Sequence, residues 1–296
     1  MGIYFLGPTG TFSDSASNAL VATLLPAAHE HTTRTPCPTI NAVVDATAHN
    51  DSWGVIPYYN LIDGLVAESL DRILANNLTV HGALQLPIRI ALGEAQGASD
   101  TAPIYSHAKA LAQCAQFLQE QHPQREQIGV ASTAQGVDEA RNNNALALGH
   151  VDLLTTHGMN VLNPDATNPY FGRTNYTEFL LIGKREAETQ AKPPPNRCII
   201  ACAPQTDRPG LLADILALLG LFELNLARLH SRPAIAAAPT QLDPQVFYLE
   251  IAGAPPPAVL ELCADALART LGGDAQTQVL FDLGSYPLSG ANPPST

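Results

Sequence analysis

Three hydroxyl side chains stand where short predicted strands give way to predicted helices: Thr11, Ser132 and Thr133. Backbone N–H groups at a helix start carry partial positive charge, and with a hydroxyl group they form a binding site for a carboxylate. The same residue types also cap helices without any ligand. Because capping and ligand binding are compatible, the spacing predicts that these residues bind a small anion, with plain capping as the alternative.

The elements that position these hydroxyls follow an alternating pattern over roughly the first two thirds of the chain. The apolar run IYFL at 3–6 indicates a buried strand, and a Gly-Pro turn separates it from a helix beginning at Thr11 or Ser13. Further strand–helix pairs follow as far as TEFLLIGK at 177–184. This alternation predicts an α/β architecture.

A polar, proline-rich stretch, EAETQAKPPPN at 186–196, divides the chain and predicts a semi-rigid linker. Residues 197–287 then follow the pattern strand, helix, strand, strand, helix, strand, which predicts a compact βαββαβ domain with one sheet and two helices. We expect residues 288–296 to form a tail.

The composition narrows the classes of function. A length of 296 residues suits about two domains, and 46% hydrophobic with 14% charged residues indicates folded domains. A net charge of −12 without any run of Lys or Arg argues against a nucleic-acid partner. The sequence has no long apolar run and no signal peptide, so we expect no membrane partner. Five scattered cysteines fit no disulfide framework and favour a cytoplasmic setting.

Eight segments resemble, in the same order, the sequence pattern of the prephenate dehydratase family. They are GPTGTFSDSA at 7–16, GVIPYYNLIDG at 54–64 for the family's PxENSxxG, YSHAKALAQC at 105–114 for SHPQALAQC, VASTAQG at 130–136, TEFLLIG at 177–183 for TRFLVIG, RPGLLADIL at 208–216, HSRP at 230–233 for ESRP, and LGSYP at 283–287. The resemblance covers nearly the whole chain.

The resemblance implies a catalytic region at 1–185 with a two-lobed, periplasmic-binding-protein-like fold, followed by an ACT regulatory domain at 197–287. We expect one lobe from residues 1–80 plus 165–185, the other from 81–164, and the active site between them. The family's substrate is prephenate or its aminated relative arogenate, and no cofactor or metal is needed. A homodimer or homotetramer and an amino-acid effector, often phenylalanine, are also implied.

Three residues match the family's catalytic positions. Thr177 corresponds to the Thr that precedes Arg-Phe, and the resemblance assigns it to the leaving hydroxyl of the substrate. Asn60 would orient a substrate oxygen, and Gln113 would contact the cleft. The alternatives are a strand threonine, a turn asparagine and a solvated helix glutamine.

The sequence departs from the family's pattern at positions expected to touch substrate. Tyr59 replaces a Glu, Leu61 replaces a Ser, and Glu178 replaces the Arg of Thr-Arg-Phe. An anion about 4 Å from a substrate carboxylate would repel it by about 4 kcal/mol. We hypothesise that Arg173 replaces the lost cation, with a loop arginine as the alternative. The residues predicted to bind substrate are therefore Thr11, Tyr59, Ser132, Thr133, Arg173, Glu178 and Phe179.

The resemblance also predicts an effector site on the second domain, formed by Gly210, Leu211, Leu212, His230, Ser231 and Arg232. His230 replaces a Glu of the family's pattern, which removes a partner for an ammonium group. We therefore expect weakened or altered phenylalanine binding, and the alternative is that the domain mainly dimerises the chain.

Three hypotheses for the function follow. The first is a lyase that converts prephenate to phenylpyruvate by loss of carbon dioxide and water, in phenylalanine biosynthesis. The second is a non-aromatising prephenate decarboxylase of secondary metabolism, which the altered residues favour and the retained Thr177 disfavours. The third is a non-catalytic amino-acid sensor.

Overall fold

The computed structural model of the protein describes residues 2–29, 32–49, 52–169, 172–205, 207–233, 245–253, 255–272 and 280–290. The strands in these ranges are β1 Ile3–Leu6, β2 Arg34–Cys37, β3 Trp53–Asn60, β4 Gly64–Leu65, β5 Leu78–Pro87, β6 Ala91–Glu94, β7 Ile104–His107, β8 Gln127–Val130, β9 Leu146–Gly149, β10 Asn160–Asn163, β11 Tyr176–Lys184, β12 Arg197–Cys202, β13 Asn225–Pro233, β14 Gln245–Ala252, β15 Leu280–Tyr286 and β16 Leu288–Gly290. The helices are α1 Phe12–Leu24, α2 Pro26–His29, α3 Ile40–His49, α4 Ala67–Ala75, α5 Ala108–Gln113, α6 Ala115–Gln121, α7 Thr133–Asn142, α8 Val151–Thr156, α9 Leu211–Leu221 and α10 Pro257–Thr270.

The first lobe is built on a mixed sheet in the order β16-β5-β11-β3-β1-β2, with β4 paired to β3. Strands β1, β2 and β3 are parallel, and the returning strand β11 runs antiparallel between β3 and β5. Buried β3 reads WGVIPYYN without strict alternation, as expected for a strand covered on both faces. Because β11 lies beside β3, residues far apart in the sequence meet in the centre of this sheet.

The second lobe is a separate sheet in the order β10-β6-β9-β7-β8, with its own apolar core. The predicted two-lobed α/β arrangement is therefore confirmed. The expected lobe boundary at residue 80 is misplaced, because β5 pairs with β11 from Leu78 to Pro87 and belongs to the first sheet. The chain crosses to the second lobe only after Pro87.

Residues 197–286 form the predicted βαββαβ pattern as a four-stranded sheet in the order β13-β14-β12-β15. We call this unit the C-terminal domain. One face of its sheet packs on α9 and α10 around Cys198, Cys202 and Cys263. The other face packs on the first lobe, because Ile199 and Tyr248 share a core with lobe residues.

The contact between the C-terminal domain and the first lobe depends on one glycine. Gly284 of β15 has φ +122°, and a Cβ atom there would collide with the carbonyl oxygen of Val80 in β5. Only glycine combines this backbone conformation with such a close approach. The LGSYP segment therefore serves to join the two sheets.

The segments flanking the C-terminal domain are both attached to the first lobe. The linker docks on α1 through N–H groups of Gln190 and Ala191, which donate to the carbonyl of Leu24. Residues 288–290, expected to begin a free tail, instead form β16 and pair with β5 in parallel. Residues 291–296 lie outside the described residues. In the described part of the chain, no helix has the length and apolar character needed to cross a membrane.

Candidate active site

A cleft of about 320 Å³ lies between the two lobes. Its volume falls at the small end of the roughly 300–1,000 Å³ typical of small-molecule sites. Both lobes line it with mainly apolar walls and a few polar groups: Leu6, Phe12, Ser13, Pro57, Asn60, Ile88, Ile90, His107, Lys109, Ala110, Gln113, Thr133, Gly149, His150, Thr177 and Phe179.

The two leading candidates for catalysis meet in this cleft. Thr177 and Asn60 occupy paired positions on β11 and β3, and the Nδ2 of Asn60 donates to the Oγ1 of Thr177 at 3.0 Å. The same amide nitrogen also donates to the carbonyl of Tyr176 at 3.2 Å. Since the Thr177 oxygen already accepts a hydrogen bond, its own proton is available to a ligand.

The amide of Asn60 is fixed from its other end as well. Its Oδ1 accepts from the N–H groups of Ile62 and Asp63 at 2.9 and 3.0 Å. Asn60 is therefore also the turn residue of the alternative interpretation, and the two roles coincide. A side chain held at both ends keeps the Thr177 hydroxyl in one position.

Helix starts converge on the cleft and on an adjoining cavity of about 290 Å³. Thr11 caps α1 and Ser132 caps α7, each accepting a hydrogen bond from a backbone N–H in the first turn. His107 and His150 cap α5 and α8 through Nδ1. The adjoining cavity is lined by Pro8, Thr9, Gly10, Thr11, Phe12, His107, Ala131, Ser132, Thr133, Ala134, His150 and Leu153.

A buried carboxylate holds the glycine-rich loop that leads into α1. The Oδ2 of Asp14 accepts from the N–H of Gly10 at 2.9 Å, and its Oδ1 pairs with Arg34 at 2.6 Å. The Asp14–Arg34 ion pair thus fixes the loop that carries Thr11. An acidic residue in the first turn of a helix is favourable by itself, but the contact of Asp14 with Arg34 forms only in the folded protein.

Two residues predicted to bind substrate lie on the wrong side of the sheet. The side chain of Glu178 is 0% exposed and contacts Arg228 of the C-terminal domain, while Tyr59 stacks 4.3 Å below the same guanidinium. Neither lines the cleft. Successive side chains of a strand point to opposite faces, so Glu178 must face away when Thr177 faces the cleft. The predicted repulsion of substrate by Glu178 is therefore wrong.

Arg173, the predicted replacement cation, is exposed and is not one of the described residues that line the cleft. Its contact with a substrate stays a prediction. Lys109, on the second lobe, lines it instead, and the sequence interpretation missed this residue. Gln113 and Phe179 also line the cleft, and their contact with a substrate stays a prediction.

Glu178 belongs to a buried ionic cluster that joins the two domains. Arg228 donates to Glu178 at 3.1 and 3.3 Å and to Glu250 at 2.6 Å. Tyr58 donates its hydroxyl to Glu250 at 2.9 Å, and Arg197 lies 3.2 Å from Glu250. Burial lowers the pKa of Arg228, but the two carboxylates outweigh that effect and raise it, so Arg228 stays charged.

His230, a further departure from the family's pattern, lies at the edge of this cluster. Burial lowers its pKa, and Arg228 lowers it further against the opposing effect of Glu250. Its Nε2 is buried without a hydrogen-bond partner in the described part of the chain. Three departures from the pattern, Glu178, Tyr59 and His230, thus contact or border one buried cluster between the domains.

We expect the folded state to lose stability as the pH falls below about 6.5, the unperturbed value for His. The pKa of His230 is lowered in the folded protein, so the unfolded chain takes up the proton first and unfolding becomes easier. The loss grows as the pH falls through the folded pKa. Thermal melts of the wild type and His230→Gln at pH 8 and pH 5.5 test this. A variant that loses as much as the wild type would contradict it.

The residues predicted to bind an effector have mixed environments. Gly210 adopts φ +85° at the start of α9, a left-handed backbone conformation that favours glycine. Leu211 is poorly placed to contact an effector, because its side chain is buried in the core and its N–H donates to the carbonyl oxygen of Arg208. Ser231 bonds Gln245. The guanidinium of Arg232 pairs with Asp71 of the first lobe at 2.6 Å.

The other two predicted effector residues, Leu212 and His230, are partly exposed. Effector binding at these positions stays a prediction. In the described residues, no group of three or more His, Cys, Asp or Glu side chains could hold a metal ion.

A family model described as prephenate dehydratase matches residues 3–187. A bifunctional chorismate mutase/prephenate dehydratase of Aquifex aeolicus is 30% identical over 288 residues, which covers 96% of this chain and 73% of that protein. The crystal structure of the prephenate dehydratase from Staphylococcus aureus has a TM-score of 0.74 and 25% identity, covering 97% of this chain and 100% of that one. A prephenate dehydratase of Arthrobacter aurescens, solved in complex with L-Phe, has the same fold, with a TM-score of 0.78 and 23% identity over 97% of this chain and 90% of that one.

Proposed function

The chain belongs to the prephenate dehydratase family, and we propose that its cleft converts prephenate to phenylpyruvate, carbon dioxide and water in phenylalanine biosynthesis. The observation that carries this proposal is the pair Asn60–Thr177, joined at 3.0 Å in a mainly apolar cleft between the lobes. The resemblance had named the same two side chains.

The reaction removes two groups from one ring. The ring carboxylate leaves as carbon dioxide, its electron pair enters the ring, and the allylic hydroxyl departs as hydroxide, which takes up one proton from the solvent to become water. Thr177 donates its hydroxyl proton in a hydrogen bond to the departing oxygen, where negative charge develops. Asn60 keeps the Thr177 oxygen in place by donating to it. The hydrogen bond to the leaving oxygen strengthens toward the transition state, so it raises the rate rather than only the affinity.

The remaining lining suits the dianionic substrate. Apolar side chains such as Phe12, Ile88 and Phe179 exclude water from the ring. Backbone N–H groups at the starts of α1 and α7 give the cleft region positive potential without a cation on the ring carboxylate. A cation there would stabilise the ground state and slow the loss of carbon dioxide.

The structural argument for a non-aromatising decarboxylase is weakened. It rested on Glu178, Tyr59 and Leu61 as altered cleft residues. The side chains of Glu178 and Tyr59 instead contact Arg228 outside the cleft, and Leu61 is not one of the described residues that line it. Thr177, the group that assists loss of the hydroxyl, is retained in the cleft. The non-catalytic sensor has no support from the described cleft, whose polar pair is in place.

The partners follow from the same family. The substrate is prephenate, with arogenate as the alternative, and the C-terminal domain is an ACT-type domain that senses an amino acid such as phenylalanine. We expect a homodimer or homotetramer. A cytoplasmic setting agrees with five free, buried cysteines. Burial raises the pKa of the Cys114 and Cys202 thiols to about 12, which leaves them unreactive at neutral pH.

Incubation of the purified protein with prephenate is expected to yield phenylpyruvate and carbon dioxide in equal amounts. Ultraviolet spectra measure the phenylpyruvate, and gas release measures the carbon dioxide. A non-aromatic dihydro product with released carbon dioxide would show a decarboxylase. Unchanged prephenate, with a thermal shift on adding phenylalanine, would show a sensor. A parallel reaction with arogenate, whose product would be phenylalanine, identifies the preferred substrate.

A further inference from the structure

We propose that Lys109 binds the pyruvyl carboxylate of the substrate, and that Asp63 holds the Lys109 ammonium group until the substrate displaces it. This inference rests on the proposed function and deepens it, since it assigns the substrate's side-chain carboxylate to one cation. The two residues come from different lobes.

The position of Lys109 is the first observation. It lies in the first turn of α5, two residues after His107, and lines the cleft that holds Asn60 and Thr177. Among the described residues that line this cleft, it is the only lysine or arginine. A dianionic substrate in that cleft therefore meets one basic side chain, that of Lys109.

The partner of Lys109 is the second observation. Its Nζ lies 3.2 Å from the Oδ2 of Asp63, across the space between the lobes. Asp63 belongs to the turn after β3, and its N–H donates to the Oδ1 of Asn60 at 3.0 Å. The carboxylate that pairs with Lys109 thus belongs to the same turn that positions the Asn60 side chain.

The Lys109–Asp63 pair is easy to displace. The two side chains are 68% and 49% exposed, and solvent and salt weaken such pairs. A substrate carboxylate enters the cleft together with a ring that the apolar walls hold. It can therefore replace Asp63 as the partner of Lys109 without any further cation.

The chemistry of the reaction decides which substrate carboxylate Lys109 binds. The ring carboxylate must lose its charge as carbon dioxide, and a bound ammonium group would oppose that step. The pyruvyl carboxylate keeps its charge from substrate to product. A cation beside the pyruvyl carboxylate stabilises the bound substrate and the transition state equally, so it lowers KM and leaves kcat unchanged.

The sequence departs from the family's pattern at this feature. Lys109 stands where the family segment SHPQALAQC has Gln, while the family's Arg is replaced by Glu178, which faces the C-terminal domain. The cation of this cleft comes from the second lobe.

Steady-state kinetics with prephenate test the proposal. Lys109→Ala is expected to raise KM by about 10–100-fold, the effect of losing one charge-assisted hydrogen bond, with kcat within about twofold. Lys109→Arg keeps the charge and should restore most of the affinity. Lys192→Ala is the matched control, because Lys192 is similarly exposed, at 66%, and pairs with Glu188 in the linker.

Asp63→Asn provides the complementary measurement. Removing the competing carboxylate is expected to lower KM a few-fold when Lys109 is present. In the Lys109→Ala background, Asp63→Asn is expected to leave KM unchanged. A wild type that turns over prephenate while Lys109→Ala behaves like Lys192→Ala would overturn this inference alone. A fall in kcat with unchanged KM would also overturn it. A wild type without activity on prephenate would overturn the proposed function and this inference together.

Discussion

Thr177→Val is expected to lower kcat for prephenate by about 10²–10³-fold while KM changes little. The substitution removes the hydroxyl that donates to the departing oxygen, and one such donor contributes roughly that factor when charge develops in a site that excludes water. The interaction exists mainly in the transition state, so kcat and kcat/KM fall together. Valine keeps the branched shape that suits β11.

Two further variants show whether the effect comes from the hydroxyl. Thr177→Ser retains a donor next to Asn60 and should keep much more activity than the valine variant. Thr174→Val changes an exposed threonine three residues earlier in the chain and should leave kcat unchanged. A valine variant with wild-type kcat would refute the role of Thr177.

Part of this site could be predicted from the sequence because local signals carry it. The turn at Asn60, the strand at Thr177 and the caps at Thr11 and Ser132 all depend on residues within a few positions along the chain. The family resemblance placed Thr177 and Asn60 in one active site between the lobes. The pairing of β3 with β11 and the hydrogen bond between the two side chains were not predicted, because both depend on the register of strands far apart in the sequence.

Glu178 shows where a signal was available and was not used. It follows Thr177 in a strand, and side chains alternate between faces, so it had to face away from the cleft once Thr177 faced it. The motif was interpreted as one continuous block of substrate contacts. Applying the strand period would have removed Glu178 from the substrate-binding set.

The partners of Glu178 and Lys109 could not be predicted in the same way. Arg228 is 50 positions from Glu178 and Asp63 is 46 positions from Lys109. Both pairs form only when separate units dock, and any exposed or buried acidic residue is chemically acceptable as a partner. Charge counts in the sequence therefore leave such pairs undetermined.

Arg228→Met is expected to lower the free energy of unfolding by about 3–5 kcal/mol, the usual effect of removing one partner from a buried ion pair. The side chains of Glu178 and Glu250 are 0% and 1% exposed, so without Arg228 the two carboxylates share a dry site. The Tyr58 hydroxyl and Arg197 remain for Glu250, but among the described residues only the amide of Gln85 remains for Glu178. Urea unfolding followed by circular dichroism measures the change.

A matched pair separates burial from charge. Arg185 also joins the first lobe to the C-terminal domain, through Asp282 at 3.2 Å, but both side chains are about half exposed. Arg185→Met should therefore cost less than about 1 kcal/mol. The double variant Glu178→Met with Arg228→Met should recover part of the loss, because it removes the uncompensated carboxylate together with its partner.

Arg228→Met should also affect catalysis, because Glu178 and Thr177 lie on the same strand, β11. Thr177 faces the cleft and Glu178 faces the C-terminal domain from adjacent positions of one strand, so Arg228 holds the strand that carries the catalytic hydroxyl. We expect kcat of Arg228→Met to fall, by less than in Thr177→Val because the hydroxyl is still present, and to recover in part in the double variant. An unchanged kcat alongside the loss of stability would show that the cluster joins the domains without positioning Thr177.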